Sequence, residues 1–296
     1  MHPWNEPILD ALARRLERLP HALLVHGPRG VGKLGLAERI SQLLLCEGTG
    51  KRPCDTCDAC RWYLGGNHPD FRRIEPEILW AEQPEKPSLV IKVEQVRDLA
   101  DFLYIGSHRG RLRVALVHPA EEMNENAANA LLKGLEEPPA GAIFILVSHR
   151  PAQLLPTIRS RCVAIPVPLP PRDAALDWLV REGVKEPQRW LAYAGGAPLR
   201  ATQYAAQGPV SLAPVGERDA LEPLADALQK IALDRALTAF GLAPKYQTTS
   251  GPVPREEARA WLAFARRMGE ERLLCRHPLN PRLFSAAMLA GMPHLT

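Results

Sequence analysis

No stretch of the 296 residues approaches the roughly 18 to 20 consecutive apolar positions that a membrane-spanning helix needs. The N-terminus also lacks the charged-then-apolar pattern of a secretory signal. These two absences argue against a membrane protein and against export, and the cytoplasm is the expected compartment. There is no internal repeat and no low-complexity tract, which argues against a solenoid or a largely disordered chain. Charge of one sign is not in large excess either: 37 Lys and Arg face 33 Asp and Glu, for a net charge of +4. That balance is compatible with transient contact to nucleic acid but does not demand it. Cysteine is scarce, and four of the six fall within residues 46–60. Such crowding suits a metal better than a disulfide framework.

With 46% hydrophobic and 24% charged residues, the composition is that of an ordinary globular protein. The length exceeds what one compact core usually organises, so two or three domains are expected. Met1 to Pro20, with Arg14, Arg15 and Arg18 set among leucines, reads as an amphipathic helix. His21 to His26 is a short strand-like run ending at a glycine. Leu36, Ile40, Leu43 and Leu44 then recur at helical spacing within Leu34 to Leu45. Val93, Val96, Leu99, Ala100 and Leu103 repeat that spacing. Arg113 to Val117 and Ala142 to Val147 are two further buried-strand candidates. Between them Asn124 looks like the N-cap of a helix whose apolar face is Ala128, Leu131, Leu132 and Leu135, stopped by Pro138 and Pro139. This alternation predicts an α/β domain, a parallel sheet flanked by helices. Residues 74–91, with three prolines and mixed charge, read as an exposed loop.

The texture changes after Ile165. Pro166 to Pro171 is linker-like, and no convincing buried strand follows it. Residues 172–206 read as two helical segments broken at Gly195 and Gly196. Residues 217–291 read as helices separated by the Gly251–Pro254 and His277–Pro281 breaks. Leu221, Leu224, Leu228 and Ile231 could face a neighbour, but most are better read as intramolecular core.

Gly27-Pro28-Arg29-Gly30-Val31-Gly32-Lys33-Leu34 follows a strand and opens a helix, the setting of a P-loop. In such a loop glycines let backbone amides curl around phosphate, and the lysine reaches the outer phosphates. Gly27, Gly30, Gly32 and Lys33 are therefore the candidate nucleotide-contacting residues. The spacing is that of G-x-x-x-x-G-K-[ST] except for Leu34, which cannot give the hydroxyl that helps to hold Mg²⁺. The partner strand runs into His118-Pro119 instead of an acidic pair, and Glu121 and Glu122 lie further on, in the turn before the next helix. With two departures at the metal position, hydrolysis by this chain alone is not expected, and ATP binding is expected to be weak or absent. The plainer alternative is a tight strand-to-helix turn with an exposed lysine.

Cys46, Cys54, Cys57 and Cys60 place four thiols within fifteen residues, beside Lys51, Arg52 and Arg61. Four thiolates close a tetrahedral shell around Zn²⁺ and leave no position for water, so the site would be structural. Disulfides or a reactive thiol pair are the alternatives. Cys162 and Cys275 lie far away and read as ordinary buried thiols. Arg161, in Ile158-Arg159-Ser160-Arg161-Cys162, lies just before the domain boundary. By itself it would be read as part of a salt bridge. A guanidinium there could also reach a neighbour's γ-phosphate.

Several of these segments together resemble the bacterial replicative clamp loader, an AAA+ family of DNA polymerase III. They are the degenerate loop Gly27–Leu34, the cysteine insertion after its helix, Asn67-His68-Pro69-Asp70, Asn129 to Pro139, and Ser160-Arg161-Cys162. Among its subunits the delta-prime type is the most similar, over residues 1 to about 205 and more weakly through His277 to Arg282. The resemblance implies an AAA+ domain with the cysteine module at 1–165, a helical lid at 166–206 and a helical collar at 207–296. It further implies a five-subunit ring with gamma or tau motor subunits and a clamp-opening delta subunit, acting on a sliding clamp and primed DNA. It makes Arg161 an arginine finger acting in trans, puts Ser148 at a sensor position, and makes Gly195, Gly196 and Arg200 a lid sensor motif. Two other readings stay open: an ATPase motor with unusual Mg²⁺ ligands such as Glu121, and a zinc-dependent nucleic-acid-binding protein using Lys51, Arg52 and Arg61.

Overall fold

The computed structural model describes residues 1–79, 88–105, 112–248, 251–275 and 277–293. The chain divides into two compact units, Met1–Leu169 and Pro170–Thr296.

In the first unit, strands β1 (Ala22–His26), β2 (Phe71–Ile74), β3 (Arg113–Val117), β4 (Ala142–Ser148) and β5 (Val163–Pro166) form a sheet in the order β2-β3-β4-β1-β5. Every neighbouring pair is parallel. The helices are α1 (Glu6–Ala13), α2 (Lys33–Leu45), α3 (Asp58–Leu64), α4 (Val93–Tyr104), α5 (Glu125–Glu136) and α6 (Pro156–Arg161). Because side chains alternate across a strand, each central strand feeds two cores. Ala22, Leu24, Ala115, Val117, Phe144 and Leu146 pack under α4, α5 and α6. The alternate residues Leu23, Val25, Leu116 and Ile145 are equally buried on the face that carries α2, where Leu36, Ile40 and Leu43 are fully buried. Sandwiching from both sides is why these strands read as continuous apolar runs. Asn124 caps α5, accepting a hydrogen bond from the Ala127 amide at 2.8 Å.

The edge strands escaped the sequence. β2 is Phe-Arg-Arg-Ile, with both arginines exposed. β5 runs into the proline-rich stretch, and Pro166 ends it at the sheet edge, where a missing N–H costs no ladder bond. The expected helix over Met1 to Pro20 is shorter. Pro3–Asn5 form a 3-10 turn, α1 covers eight residues, and Arg14 and Arg15 lie beyond its end. Much of the loop expected at 74–91 lies outside the described residues, but Glu77–Leu79 form a 3-10 turn and Ile91 is buried.

The second unit is helical in its described residues: α7 (Arg172–Arg181), α8 (Pro187–Tyr193), α9 (Pro198–Gln207), α10 (Leu221–Ala239), α11 (Ala258–Leu274) and α12 (Pro281–Ala290). Residues 172–206 thus hold three helices where two were expected, because Gly183, with φ of 74°, stops the first of them after Arg181. One small core gathers Ala175, Leu179, Trp190, Leu191 and Ala201. A larger one gathers Leu221, Leu224, Leu228, Trp261, Phe264 and Met268 from α10 and α11, with Met288 from α12. Leu221, Leu224 and Leu228 are core, and Ile231 is partly exposed.

Trp261 is fully buried, its indole N–H donates to Glu257 at 3.0 Å, and the Arg235 guanidinium lies 4.9 Å from the ring centre. Trp261→Ala is therefore expected to destabilise the second unit by about 3–5 kcal/mol, read by chemical denaturation. A loss below about 1 kcal/mol would mean that α10, α11 and α12 are held together by something else.

Candidate functional site

The glycine loop joins the C-terminal end of β1 to α2, on the edge of a parallel sheet where ligands usually bind. Gly27 and Gly32 have φ of 152° and 83°, and each is pressed from outside. A Cβ at Gly27 would collide with the Val167 carbonyl, and one at Gly32 with the His2 ring. The N-terminal turn is tied to the same loop. The Trp4 indole donates to the Val31 carbonyl at 2.9 Å, and the Asn5 amide donates to the Val31 and Gly32 carbonyls at 3.1 and 3.3 Å.

Lys33 does not point outward as an isolated turn would allow. It is 2% exposed, and its ammonium donates to the loop's own Gly27 and Pro28 carbonyls at 2.8 and 2.5 Å. Burial pushes its pKa down to about 8, with Glu121 opposing the shift and Arg29 adding to it. The native state therefore binds fewer protons than the unfolded chain between about pH 8 and 10.5, and stability should rise with pH across that window. Lys33→Met is expected to flatten the rise, read as denaturation midpoints at the two ends of the window. An unchanged slope would mean that Lys33 is not held in this way.

The acidic residues around the loop have partners of their own, although Glu121 Oε2 is buried without a hydrogen bond. At the end of β3, His118 Nδ1 lies 3.1 Å from Glu75 Oε1, and the other Glu75 oxygen is 3.2 Å from Arg73. Glu121 Oε1 accepts the His149 amide at 2.9 Å, and Glu122 pairs with Arg150 at 3.3 Å. Burial, with Lys33 and His118 nearby, pushes His149 down to about 2, so it stays neutral. Ser148, fully buried at the end of β4, accepts the Arg150 amide at 3.2 Å. Leu34 stands where a P-loop carries its hydroxyl, and β3 runs into His118 and not into an acidic residue.

The four cysteines do converge. Cys46 ends α2, Cys57 caps α3, Cys60 lies in its first turn, and Cys54 sits on the loop between them. Their sulfurs all lie within 4.8 Å of one another, with Cys46–Cys57 at 4.0 Å and Cys54–Cys60 at 3.9 Å. A tetrahedron of metal–sulfur bonds of about 2.3 Å has edges of about 3.8 Å, so the cage fits such an ion. The amides of Gly48, Cys57 and Cys60 point at Cys46, Cys54 and Cys57 sulfurs at 3.4 Å each. These donors favour thiolates, and amides at Thr56 and Cys57 pull the Cys54 thiol down to about 5. Burial pushes Cys60 up to about 12, a proton that a bound cation would displace.

Two of the cations that flank this cage in sequence are committed within the module. Arg61 pairs with Asp58 at 2.6 Å, and Arg52 donates to the Gly48 carbonyl at 2.6 Å. A residue missed in the sequence, Arg39 of α2, forms a bidentate pair with Asp55 at 2.5 and 2.8 Å, and Gln42 donates to Asp55 at 2.8 Å. These bonds tie the cysteine loop to the helix that follows the glycine loop. Another residue without a sequence signal is Arg113, which is buried, faces Asp70 at 3.5 Å and lies 4.6 Å from the Phe102 ring centre. The Asn67-His68-Pro69-Asp70 segment is thereby anchored at the start of β3.

Arg161 ends α6 at the surface of the first unit, with its side chain 35% exposed. Cys162 beside it is half-buried, whereas Cys275 is buried. Arg200 is engaged in an ion-pair cluster. Within the second unit it joins Asp226 at 3.1 Å, and Asp226 also takes Lys230 at 2.7 Å, Tyr204 at 2.9 Å and Arg272 at 3.1 Å.

A family model described as "DNA polymerase III, delta subunit" matches residues 4–170, more than half of the chain. DNA polymerase III subunit delta′ of Pseudomonas aeruginosa is 43% identical over 217 residues, covering 70% of this chain and 62% of the relative. The delta′ subunit of Escherichia coli is 35% identical over 184 residues, covering 61% and 53%. DNA polymerase III subunit tau of Salmonella typhimurium is 38% identical over 162 residues, covering 54% of this chain and 24% of the relative. The chain thus spans about three-fifths of the length of the delta′ sequence from P. aeruginosa. The matched segment contains the glycine loop, the cysteine cage and Arg161, and on it the chain belongs to the DNA polymerase III, delta subunit family.

Proposed function

We propose that the chain is a non-hydrolysing, stator-like clamp-loader subunit of the DNA polymerase III holoenzyme, working in the cytoplasm. It joins motor subunits of the gamma or tau type and a clamp-opening delta subunit in a five-subunit ring. The ring places a sliding clamp on primed DNA during replication. In it, residues 166–206 act as a lid and residues 207–296 as a collar. The names of the relatives, DNA polymerase III subunits delta′ and tau, support this setting.

The observation that carries the reading is the contrast between two cations. Lys33 is buried against its own loop, beside Leu34, while Arg161 stands at the surface. A chain so arranged has little use for ATP of its own. It can lend a guanidinium to ATP bound by a neighbour, where charge developing on the transferred phosphoryl group is stabilised. Gly27, Gly30, Gly32 and Lys33 then form a remnant of a nucleotide loop. Cys46, Cys54, Cys57 and Cys60 hold one structural Zn²⁺, which fixes the module and takes no part in hydrolysis.

The motor alternative is disfavoured by Leu34 and His118. The nucleic-acid alternative is disfavoured because Arg52 and Arg61 are engaged inside the module. Clamp loading onto primed DNA by motor and clamp-opening subunits is expected to require this chain. Loading at the full rate in its absence would remove the proposal.

A further inference from the structure

Arg161 is not idle in the free chain. Its Nη1 donates to the Thr157 carbonyl at 2.9 Å and to the Ser160 hydroxyl at 3.3 Å, and its Nη2 lies 2.7 Å from Glu136 Oε1. Glu136 is the last residue of α5, 25 positions away in sequence, and the two helices pack side by side. Nη1 and one side of Nη2 thus already face the chain's own acceptors. A planar guanidinium that grips phosphate in bidentate fashion needs two of its nitrogens facing the same anion. The Glu136 carboxylate sits on the Nη2 side, so a phosphate that takes Nη2 competes with it for the same cation.

We propose that Glu136 is a positioning residue that parks Arg161: it neutralises and holds the guanidinium until a phosphate of a neighbouring subunit displaces it. The inference rests on the reading of Arg161 as an arginine finger. The strength of the pair suits such a role. Glu136 and Arg161 side chains are 48% and 35% exposed, and an ion pair that exposed biases an equilibrium by a factor of only about two to five. A phosphate carrying more than one negative charge, met inside a subunit interface from which water is partly excluded, outcompetes a single solvated carboxylate. The parked arginine would then be lightly held, and would yield to the charge it serves. Holding it also limits the side-chain freedom that would be lost on docking.

The test is a double-mutant cycle in the assembled loader, using the full chain with motor and clamp-opening subunits, clamp and primed DNA. Stimulated ATP turnover is measured as a function of ATP concentration for wild type, Glu136→Gln, Arg161→Ala and the double variant. Thermal melts of each chain serve as a folding control. With parking, Glu136→Gln lowers the KM for ATP about two- to fivefold at unchanged kcat, and the double variant is indistinguishable from Arg161→Ala. A merely structural glutamate would not move KM through Arg161. If Glu136→Gln equals wild type, raises KM, or still has an effect in the Arg161→Ala background, parking is overturned while the finger can stand. If Arg161→Ala itself equals wild type, the finger reading fails, and parking fails with it.

Discussion

Arg161→Ala is expected to leave the chain folded and to slow the ATP site it completes by about a thousandfold. Its own contacts are few: a carbonyl, a hydroxyl and the exposed Glu136 carboxylate, all on the surface of the first unit. Losing them should change stability by no more than about 0.5 kcal/mol. An arginine finger acts on a different scale, because charge that develops only in the transition state is met by a fixed cation in a water-poor site. Removing one commonly costs a factor of about 10³ or more in rate. In a ring with several sites, only the site facing this chain should slow. Single-turnover hydrolysis by the assembled loader separates that site from the rest. The expected result is loss of one fast phase with the others retained. Arg161→Lys should rescue little, since an ammonium cannot reproduce the planar two-nitrogen grip. A full set of fast phases in the alanine variant would remove Arg161 from the chemistry.

Loss of a cysteine ligand should be as severe, but local. Binding of a structural zinc ion by four thiolates is worth about 10 kcal/mol or more in small peptides at neutral pH, and that energy is folding energy. Cys60→Ser takes away a buried thiol in the first turn of α3, one of the four that converge there. The expected outcome is a fall from one bound metal to none, with protease cleavage appearing within residues 46–66. The sheet should survive, because its cores are built from β1, β3, β4, α2, α4 and α5 and not from the cysteine loop. Metal analysis and limited proteolysis under reducing conditions read both effects. Protons compete with the metal for thiolates, so acid should release it from the wild type in the same way. A metal-free chain whose module still resists protease would show that the thiols pack without an ion.

The parts of this molecule that were legible in the sequence are those whose physics is local. The Gly27–Lys33 spacing must serve one tight turn, and four sulfurs that share an ion must come from nearby positions. The central strands β1, β3 and β4 announce themselves because burial on both faces gives each at least four consecutive apolar residues. Asn124 was readable as a cap for the same reason, its bond being three residues long. What stayed hidden depends on the chain returning to itself. β2 is an edge strand with two outward arginines, and β5 merges into the prolines that follow it. The Arg39–Asp55 pair spans sixteen residues, and the Arg113–Asp70 pair forty-three, with no pattern to link them. Nothing in the order of residues says that Lys33 turns back onto Gly27 and Pro28, or that Glu136 meets Arg161. The loop was readable as a loop; its self-occupation emerged only from the fold.

That self-occupation, set against an Arg161 held at the surface by one exposed carboxylate, makes ATP turnover the most direct measurement. Purified chain is assayed alone, and then added to motor subunits, a clamp-opening subunit, clamp and primed DNA. The expected result is no turnover by the chain alone, and a stimulation in the mixture that disappears with Arg161→Ala. Turnover by the chain alone, surviving Arg161→Ala and abolished by Lys33→Met, would contradict it and would make this protein a motor in its own right.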